Sequence, residues 1–322
     1  MNPKHLIWLL VLLLCGCEQV EEHLLPIHEC AAPPEGRAVA MSFAWENTIY
    51  IVSGRMENGR YSDKMMTYSV DADTWQTELP TPLAARANGV ACTNSNAVYL
   101  GLGFKGGSIY ESENHLKDFW RYEPASDTWT RLADFPSEKT VATIAVANDE
   151  YVWVGFGFNG FGDEWWCYSI AEDAWTAAEH EGEWPDRLMS MKAACCNGRY
   201  FAGTGYHRGS KTGWWEFIPA TRRWERKASL PGQGRHNAAC AATDESVWIA
   251  GGWHYGDSLT TGFHFQDILR YSPTEDKWER SGLIPCGPTE NGVACGVGRR
   301  MYFGLGESNQ YQLYRHWYYI EE

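Results

Sequence analysis

Short apolar segments rich in β-branched and aromatic residues recur along this chain, and a glycine follows each of them. Residues 48–52, 151–154 and 247–250 are examples. The glycines that close such segments are Gly54, Gly103, Gly157, Gly205, Gly252 and Gly306. Short runs of this composition bounded by glycine predict β-strands, and their regular recurrence predicts a repeated all-β unit.

A second pattern repeats in step with the first: a tyrosine or phenylalanine is followed seven residues later by a tryptophan. The pairs are Tyr68/Trp75, Tyr122/Trp129, Tyr168/Trp175, Phe217/Trp224 and Tyr271/Trp278. Successive tryptophans are 54, 46, 49 and 54 residues apart. A period of about 50 residues is typical of one four-stranded propeller blade. Each aromatic pair therefore predicts a strand, a turn and a strand.

Six glycines but only five aromatic pairs indicate that one blade is divided between the two ends of the chain. The sequence stops at Glu322, soon after Trp317, where the outer strand of a sixth blade is still required. Residues 27–34 align with residues 129–136, and an inner strand led by Arg or Lys follows both segments. We therefore predict that the N-terminal segment supplies this outer strand and closes the ring, which leaves no free sheet edge.

These registered positions resemble the kelch repeat: an apolar strand, a glycine, a variable loop, a tyrosine and then a tryptophan. The resemblance covers about residues 24–322. It implies an all-β, six-bladed kelch β-propeller in which the repeated tryptophans are structural. It implies little about function, because kelch propellers include enzymes, sugar-binding modules and protein-docking platforms.

The first 17 residues do not fit the repeat. Lys4 precedes an apolar run at 6–14 that is short for a membrane span, and residues 14–17 resemble a bacterial lipobox. We expect 1–16 to be a lipoprotein signal peptide, Cys17 to be lipidated, 17–23 to be a tether and 24–322 to be the propeller. An ordinary secretory signal is the alternative. The lipobox implies a lipid-anchored protein of the cell envelope, in the outer membrane and either periplasmic or surface-exposed.

Charge and cysteine usage narrow the possible partners. The net charge is −14 and the pI is about 5.2. Such an acidic surface repels nucleic acids and anionic membranes, so we expect no nucleic acid and only the lipid anchor in a membrane. Cys30 and Cys286 are disulfide candidates whose partners the sequence does not assign. Four cysteines recur on the predicted innermost strands, where small residues fit: Cys92, Cys195, Cys240 and Cys295.

Residues at equal offsets from the six glycines are expected to lie side by side at one end of the central channel, here called the mouth. The register 17 residues before the glycines contains Arg37, Arg86 and Arg235, and Lys192 lies close to it. Arginines gathered at one end of an acidic protein favour an anionic ligand. The alternative is that they brace neighbouring blades through backbone carbonyls. The register 15 residues before the glycines contains Asn88, Asn237 and Asn291.

The register directly after the glycines is rich in aromatic residues: Phe104, Phe158, Tyr206 and Trp253, with Arg55 and Glu307 in the remaining blades. The next register adds polar groups, among them Lys105, His207 and His254. Flat rings beside hydrogen-bonding groups suit a sugar, which has apolar C–H faces and a polar rim. The alternative is that the rings only fill the end of the channel. The longest loops after these glycines belong to blades two and five, and we expect them to form two sides of a cleft.

We therefore predict an envelope-anchored propeller that binds a glycan or small anionic sugar at the mouth without catalysis. We expect no catalytic residue, metal or cofactor. The predicted ligand-binding residues are Arg37, Arg86, Asn88, Phe104, Lys105, Phe158, Tyr206, His207, Arg235, Asn237, Trp253, His254, Asn291 and Glu307. A protein-docking platform for an envelope protein is the first alternative.

Sugar ring-opening is the second alternative. Similarity to sialic-acid mutarotases, which are six-bladed periplasmic kelch proteins, implies an acid/base pair such as Glu290 and Glu307. Arg86 and Arg235 would then bind the sugar carboxylate. The long insertions between blades that this family carries are missing here.

Two further enzymatic alternatives rest on residue type. A resemblance to galactose oxidase would place copper near Tyr206, His207 and His254. That family's larger ring of seven blades and its crosslinked Tyr–Cys pair are not evident in this chain. A hydrolase that uses the carboxylates of Glu290 and Glu307 is the other alternative.

Overall fold

The computed structural model describes residues 20–158, 164–178, 181–182, 185, 188–255 and 262–322. Cys17 and the predicted signal peptide lie outside the described residues. The described strands in chain order are β1 (Glu21–Glu22), β2 (Ile27–Glu29), β3 (Met41–Trp45), β4 (Thr48–Val52), β5 (Lys64–Ser69), β6 (Thr74–Pro80), β7 (Val90–Thr93), β8 (Val98–Gly101), β9 (Phe119–Glu123), β10 (Thr128–Leu132), β11 (Ile144–Ala147), β12 (Tyr151–Gly155), β13 (Trp165–Ser169), β14 (Ala174–Ala177), β15 (Glu181–Gly182), β16 (Lys192–Cys196), β17 (Arg199–Gly203), β18 (Trp214–Ile218), β19 (Arg223–Arg226), β20 (Ala239–Ala242), β21 (Val247–Ala250), β22 (Trp253–Tyr255), β23 (Gly262–His264), β24 (Asp267–Ser272), β25 (Lys277–Leu283), β26 (Val293–Val297), β27 (Arg300–Gly304) and β28 (Trp317–Glu321).

These strands form six blades, each built on four antiparallel strands. Blade one is β3–β6, blade two β7–β10, blade three β11–β14 and blade four β16–β19. Blade five consists of β20, β21, β24 and β25, and blade six of β26, β27, β28 and β2. β22 and β23 form a separate hairpin in the loop of blade five, and a 3-10 turn at Ser112–Asn114 lies in the loop of blade two.

The innermost strands close into a ring around a central channel. In the order β3, β7, β11, β16, β20 and β26, each contacts the next, and β26 contacts β3. β2 pairs antiparallel with β28, with Ile27 opposite Ile320, so the predicted closure by an N-terminal outer strand is confirmed. The segment expected as a tether also contributes a strand, because β1 lies parallel to β25 with Glu21 opposite Glu279.

Each interface between neighbouring blades buries one hydrophobic cluster. Blades one and two share a cluster that includes Met41 and Val98, and blades three and four share one that includes Ile144 and Trp224. Equivalent clusters fill the remaining interfaces. A blade has two apolar faces and can bury them only against its neighbours, so the closed ring supplies the core of every blade.

Three of the repeated aromatic pairs connect a blade to the preceding one: Tyr68/Trp75, Tyr168/Trp175 and Tyr271/Trp278. The Tyr168 hydroxyl donates to Asp173 (2.7 Å), and the Asp173 carboxylate accepts the Ala133 N–H of the preceding blade (2.8 Å). Trp175 Nε1 donates to the Ala133 carbonyl (2.9 Å). Tyr168 and Trp175 are direct cross-strand partners, as are the residues of the other four pairs. The predicted strand–turn–strand is confirmed, and the fold is a six-bladed kelch β-propeller.

The six glycines after the second strands have backbone φ angles between 78° and 126°. At Gly103 an added Cβ would lie 2.5 Å from the Ala87 carbonyl oxygen. Only glycine adopts this conformation without strain and leaves room for that approach. The chain therefore turns at the same point in every blade, and the loops that follow gather at the mouth.

Candidate functional site

A ring of six residues in one register surrounds the channel at the mouth: Val39, Asn88, Ala142, Ser190, Asn237 and Asn291. All six have left-handed backbone conformations, with φ between 52° and 55°. Backbone hydrogen bonds join five of the six neighbouring pairs, for example from Asn88 N–H to the Val39 carbonyl (3.0 Å). Asparagine tolerates this conformation better than most residues, which gives the three predicted asparagines a structural role in this mouth ring.

The register after the glycines also lies at the mouth. Its members form equivalent β-bridges with the residues that precede the mouth ring: Ala38 with Arg55, Ala87 with Phe104, Val141 with Phe158, Met189 with Tyr206, His236 with Trp253, and Glu290 with Glu307. Equal offsets from the glycines therefore do lie side by side. Whether a side chain meets solvent there depends on its neighbours, and these differ from blade to blade.

The predicted anion-binding arginines are buried and paired within the protein. Arg86 makes two hydrogen bonds to the Asp118 carboxylate (2.8 and 2.7 Å) and one to the Leu102 carbonyl (3.0 Å). Burial alone would raise the pKa of Asp118, but the Arg86 guanidinium outweighs it and holds that pKa below its ordinary value.

Arg235 repeats this arrangement in blade five, with Asp267 (2.7 and 3.1 Å) and the Gly251 carbonyl (3.1 Å). Arg37 is also buried and pairs with Glu35 (2.5 Å). Each guanidinium is turned into the protein, because a carboxylate lies within its reach inside. It therefore points away from a ligand at the mouth. The alternative expectation was that these arginines brace neighbouring blades through backbone carbonyls, but Arg86 and Arg235 each bond a carbonyl and a carboxylate of their own blade.

On the side of blades two and three, the aromatic rings pack against the loops. Phe104 is buried between Tyr61 and His115, with ring centroids 5.9 and 6.4 Å away. Phe158 lies 5.4 Å from the ring of Tyr110. Lys105 is exposed beside them. Phe104 therefore offers little free surface, whereas Phe158 is half-buried and Tyr110 is exposed.

The side of blades four and five is different. Five rings, Tyr206, His236, Trp253, Tyr255 and His264, form what we call the aromatic–histidine cluster. Trp253 and His264 are stacked 5.5 Å apart at an angle of 5°, because they are cross-strand partners in the β22–β23 hairpin. Trp253 also lies 4.4 Å from Tyr255, and His236 lies between Tyr206 (5.2 Å) and Trp253 (5.5 Å). All except His236 are half-buried and retain surface for a ligand.

Two carboxylates lie beside this cluster. Glu290 accepts hydrogen bonds from Asn237 Nδ2 (3.1 Å) and lies 3.0 Å from His264 Nε2. Glu307 pairs with Arg55 and accepts Asn291 Nδ2 (2.9 Å). The structure thus brings the predicted Asn237, Asn291, Trp253 and Glu307 together.

The other two predicted residues of this side lie nearby. His254 Nδ1 contacts the Gly234 carbonyl (2.8 Å), and His207 is half-buried. In the described part of the chain, no three His, Cys, Asp or Glu side chains converge as metal ligands.

His236 is a neutral imidazole at neutral pH. Burial, followed by the nearby His254, Lys192 and His264, lowers its pKa to about 4. Its Nδ1 lies 2.9 Å from Ser210 Oγ, which also accepts the Tyr255 N–H (2.7 Å). This contact ties the hairpin of blade five to the loop of blade four and fixes the rings of the cluster.

The predicted ligand-binding residues did not include Arg55, Tyr255, His236 or His264, and Glu290 was considered only for the enzymatic alternatives. One signal was available in the register that precedes the mouth ring. Its residues are Ala38, Ala87, Val141, Met189, His236 and Glu290. Four are apolar and two are polar, and the two polar ones lie on the side of the aromatic–histidine cluster.

Two large cavities lie towards the opposite end of the disc. One of about 730 Å³ opens between the outer strands of blades three and four, and one of about 640 Å³ between those of blades four and five. Blades diverge with distance from the axis, so clefts between outer strands follow from the architecture. Two cations of the second cavity are already paired, Arg270 with Glu279 and Lys277 with Glu21. We therefore place the candidate site at the mouth.

The eight described cysteines, including Cys30 and Cys286, are free thiols. Burial raises the pKa of Cys30 and of Cys286 above the ordinary thiol value. Over the described ranges, the chain contains no helix with the length and apolar character needed to cross a membrane.

Comparisons with known proteins agree with this architecture. No family model matches the chain. Kelch-like protein 23 from Homo sapiens is 24% identical over 253 residues, which are 77% of this chain and 42% of that protein. N-acetylneuraminate epimerase from Yersinia enterocolitica is 22% identical over 206 residues, or 61% of this chain and 45% of that enzyme. The chain thus spans less than half of the length of these curated relatives.

The solved structure of YjhT superposes with a TM-score of 0.69 and covers 91% of this chain and 95% of its own, at 15% sequence identity. The chain is therefore a six-bladed kelch β-propeller with a distant resemblance to N-acetylneuraminate epimerase.

Proposed function

We propose that this protein binds a sugar, and in particular a small anionic sugar, at the mouth on the side of blades four to six. The observation that carries the proposal is the half-buried Trp253–His264 stack beside the carboxylates of Glu290 and Glu307. Aromatic faces pack against the C–H face of a sugar, while carboxylates and amides bind its hydroxyl groups.

The resemblance to N-acetylneuraminate epimerase supports an acidic sugar as the first ligand to test. The negative net charge of the protein does not exclude such a ligand. Salt screens charges that lie more than one Debye length from the site, about 8–10 Å, so the charges close to the site matter more than the net charge. Near the cluster, Arg55 is a positively charged group, and it pairs with Glu307.

A matched pair of variants tests this site by isothermal titration with N-acetylneuraminate and with neutral N-acetylglucosamine. Trp253→Leu removes the ring of the cluster, and we expect the Kd to rise by about tenfold or more, which corresponds to ~1.4 kcal/mol. Phe104→Leu changes the buried ring at the equivalent position of blade two and serves as the control, with unchanged affinity. Equal affinity in both variants, or no binding of either sugar to the wild type, would refute the proposal.

A sugar epimerase is the second candidate, and one observation favours it. Glu290 and His264 form a carboxylate–imidazole pair 3.0 Å apart, which is an arrangement that can exchange protons with a sugar hydroxyl. Anomer exchange followed by NMR distinguishes the two functions. A catalyst accelerates exchange and loses that acceleration in Glu290→Gln, whereas a binding protein leaves the exchange rate at its uncatalysed value.

Three exposed rings on the mouth loops, Tyr110, Phe263 and Tyr311, add apolar contact surface for a larger glycan.

We also propose that a lipid on Cys17 holds the protein in the cell envelope, where the propeller binds its ligand. Membrane fractionation of Cys17→Ser tests the anchor, and retention of the variant in the membrane would contradict it. Capture of an envelope protein by the mouth loops, with no sugar binding, would favour the docking alternative.

A further inference from the structure

The central channel contains two small chambers beneath the mouth ring. The upper chamber, of about 150 Å³, is lined by the first residues of all six inner strands, and the lower chamber, of about 280 Å³, by the residues that follow. Alanine, glycine, serine, threonine and cysteine dominate both linings. The innermost strands have no further neighbour, so backbone N–H and C=O groups on their free edges face the channel.

Lys192 is the one charged residue among those that line the two chambers. It begins β16, two residues after Ser190 of the mouth ring, and it is half-buried at the wall of the upper chamber. Its ammonium group forms no hydrogen bond or ion pair with any residue that the structure describes, whereas Arg86 and Arg235 each have a carboxylate partner. No carboxylate lines either chamber.

The titratable groups that interact electrostatically with Lys192 do not neutralise its charge. Cys240 lines the same chamber, but burial raises its pKa to about 12, so the thiol stays protonated and uncharged. His236 is the other titratable neighbour, and it carries no negative charge in either protonation state. Burial lowers the pKa of Lys192, because the charged form loses hydration that no protein group replaces.

We propose that the upper chamber is a binding site for one small monovalent anion, which contacts the Lys192 ammonium and channel-facing backbone N–H groups. A nearby negative charge stabilises the charged form of the ammonium, which partial burial disfavours. A chamber of about 150 Å³ holds roughly five water molecules, which is room for a halide with part of its hydration shell. This site goes beyond the proposed sugar site and does not depend on it.

Bromide is the probe, because its anomalous scattering locates it directly in a crystal of the full propeller. We expect a bromide peak within hydrogen-bonding distance of Lys192 Nζ, and no such peak in Lys192→Met, which keeps the length of the side chain. Lys105→Met is the matched control, since Lys105 is an exposed lysine at the same mouth and its loss leaves the chamber unchanged. Bromide peaks elsewhere on the wild-type surface with none at Nζ would overturn the proposal, as would a chamber peak that persists in Lys192→Met.

A solution measurement gives an independent answer and needs no crystals. At constant ionic strength, bromide is exchanged for a bulky organic sulfonate that the chamber cannot hold, and thermal unfolding is followed. We expect bromide to raise the Tm of the wild type and of Lys105→Met by about 2 °C, because a ligand that binds only the folded state stabilises it. Lys192→Met is expected to show no bromide-dependent rise. An equal rise in all three proteins would contradict a site at Lys192.

Discussion

Blades two and five are built on the same framework but present different surfaces at the mouth. In both, an arginine pairs with the aspartate at the start of the third strand, and an asparagine occupies the mouth ring. They differ in the register that precedes the ring, where blade two has Ala87 and blade five has His236. Beside Ala87 the Phe104 ring is buried against the loop, whereas beside His236 the Trp253 ring stays half-exposed in a cluster of polar rings.

This difference separates the residues that make a blade from those that make a site. Positions shared by the two blades hold the repeat together, so their conserved chemistry explains the fold. Positions where one blade replaces a small apolar residue by a buried polar one are unfavourable for packing unless the polar group gains a partner. His236 has such a partner in Ser210, and Glu290 has Asn237 and His264.

The largest expected effect tests whether the arginines of the two blades are structural. Arg86→Met and Arg235→Met each leave a partly buried aspartate without its partner, and breaking a buried pair in this way costs about 3–5 kcal/mol. We expect both variants to lose stability by similar amounts, measured as the urea midpoint of unfolding. Arg315→Met, which breaks an exposed pair with Glu57, is the control and should unfold near the wild-type midpoint. If Arg235→Met kept wild-type stability but lost sugar binding, Arg235 would belong to the site after all.

The second prediction concerns His236→Ala, which gives blade five the residue that blade two has in this register, Ala87. The pKa of His236 is about 4 in the folded protein and 6.5 for an ordinary histidine. Between these values the unfolded chain binds a proton that the folded protein does not, so stability rises with pH. This contribution is complete above about pH 6.5 and is lost as the pH falls to 4 and below, by at most ~3.4 kcal/mol at 1.36 kcal/mol per pKa unit.

Other groups also titrate in this range, so the informative quantity is the difference between wild type and variant. The free energies of unfolding of the wild type and of His236→Ala, measured at several pH values, should converge as the pH falls. Only the wild type loses this proton-linked stability. Parallel curves for the two proteins would show that His236 does not titrate as the structure indicates.

The repeat made the fold predictable from sequence to an unusual extent. Trp75 and Tyr68 recur at a fixed separation because they are cross-strand partners, and Gly54 recurs because each second strand ends in a left-handed turn. The divided blade followed from counting, and the pairing of Ile27 with Ile320 confirms it. Local spacing and strand pairing are linked so directly here that the sequence pattern contains the sheet topology.

The site was less predictable, because equal register does not mean equal exposure. Arg86 and Arg235 lie at the mouth by register, but their partners Asp118 and Asp267 lie 32 residues further along the chain and draw both side chains inward. That common offset of 32 was present in the sequence, whereas the contact of His264 with Glu290 depends on how the blade five hairpin folds over the mouth. Loop geometry of this kind is not encoded in the repeat.

The smallest expected effect tests the framework that the two blades share. Tyr122 donates to Asp127 (3.0 Å) in blade two, and Tyr271 donates to Asp276 (2.7 Å) in blade five. Each Tyr→Phe change removes one hydrogen bond and leaves the ring in place, so we expect losses of about 1 kcal/mol in both blades. Phe217 of blade four, which lacks a hydroxyl at this position, shows that the repeat tolerates the loss. Urea unfolding of Tyr122→Phe and Tyr271→Phe should therefore give similar small shifts with sugar binding unchanged. A loss of binding in Tyr271→Phe alone would mean that the mouth of blade five depends on its outer strands, and the separation between framework and site would no longer hold.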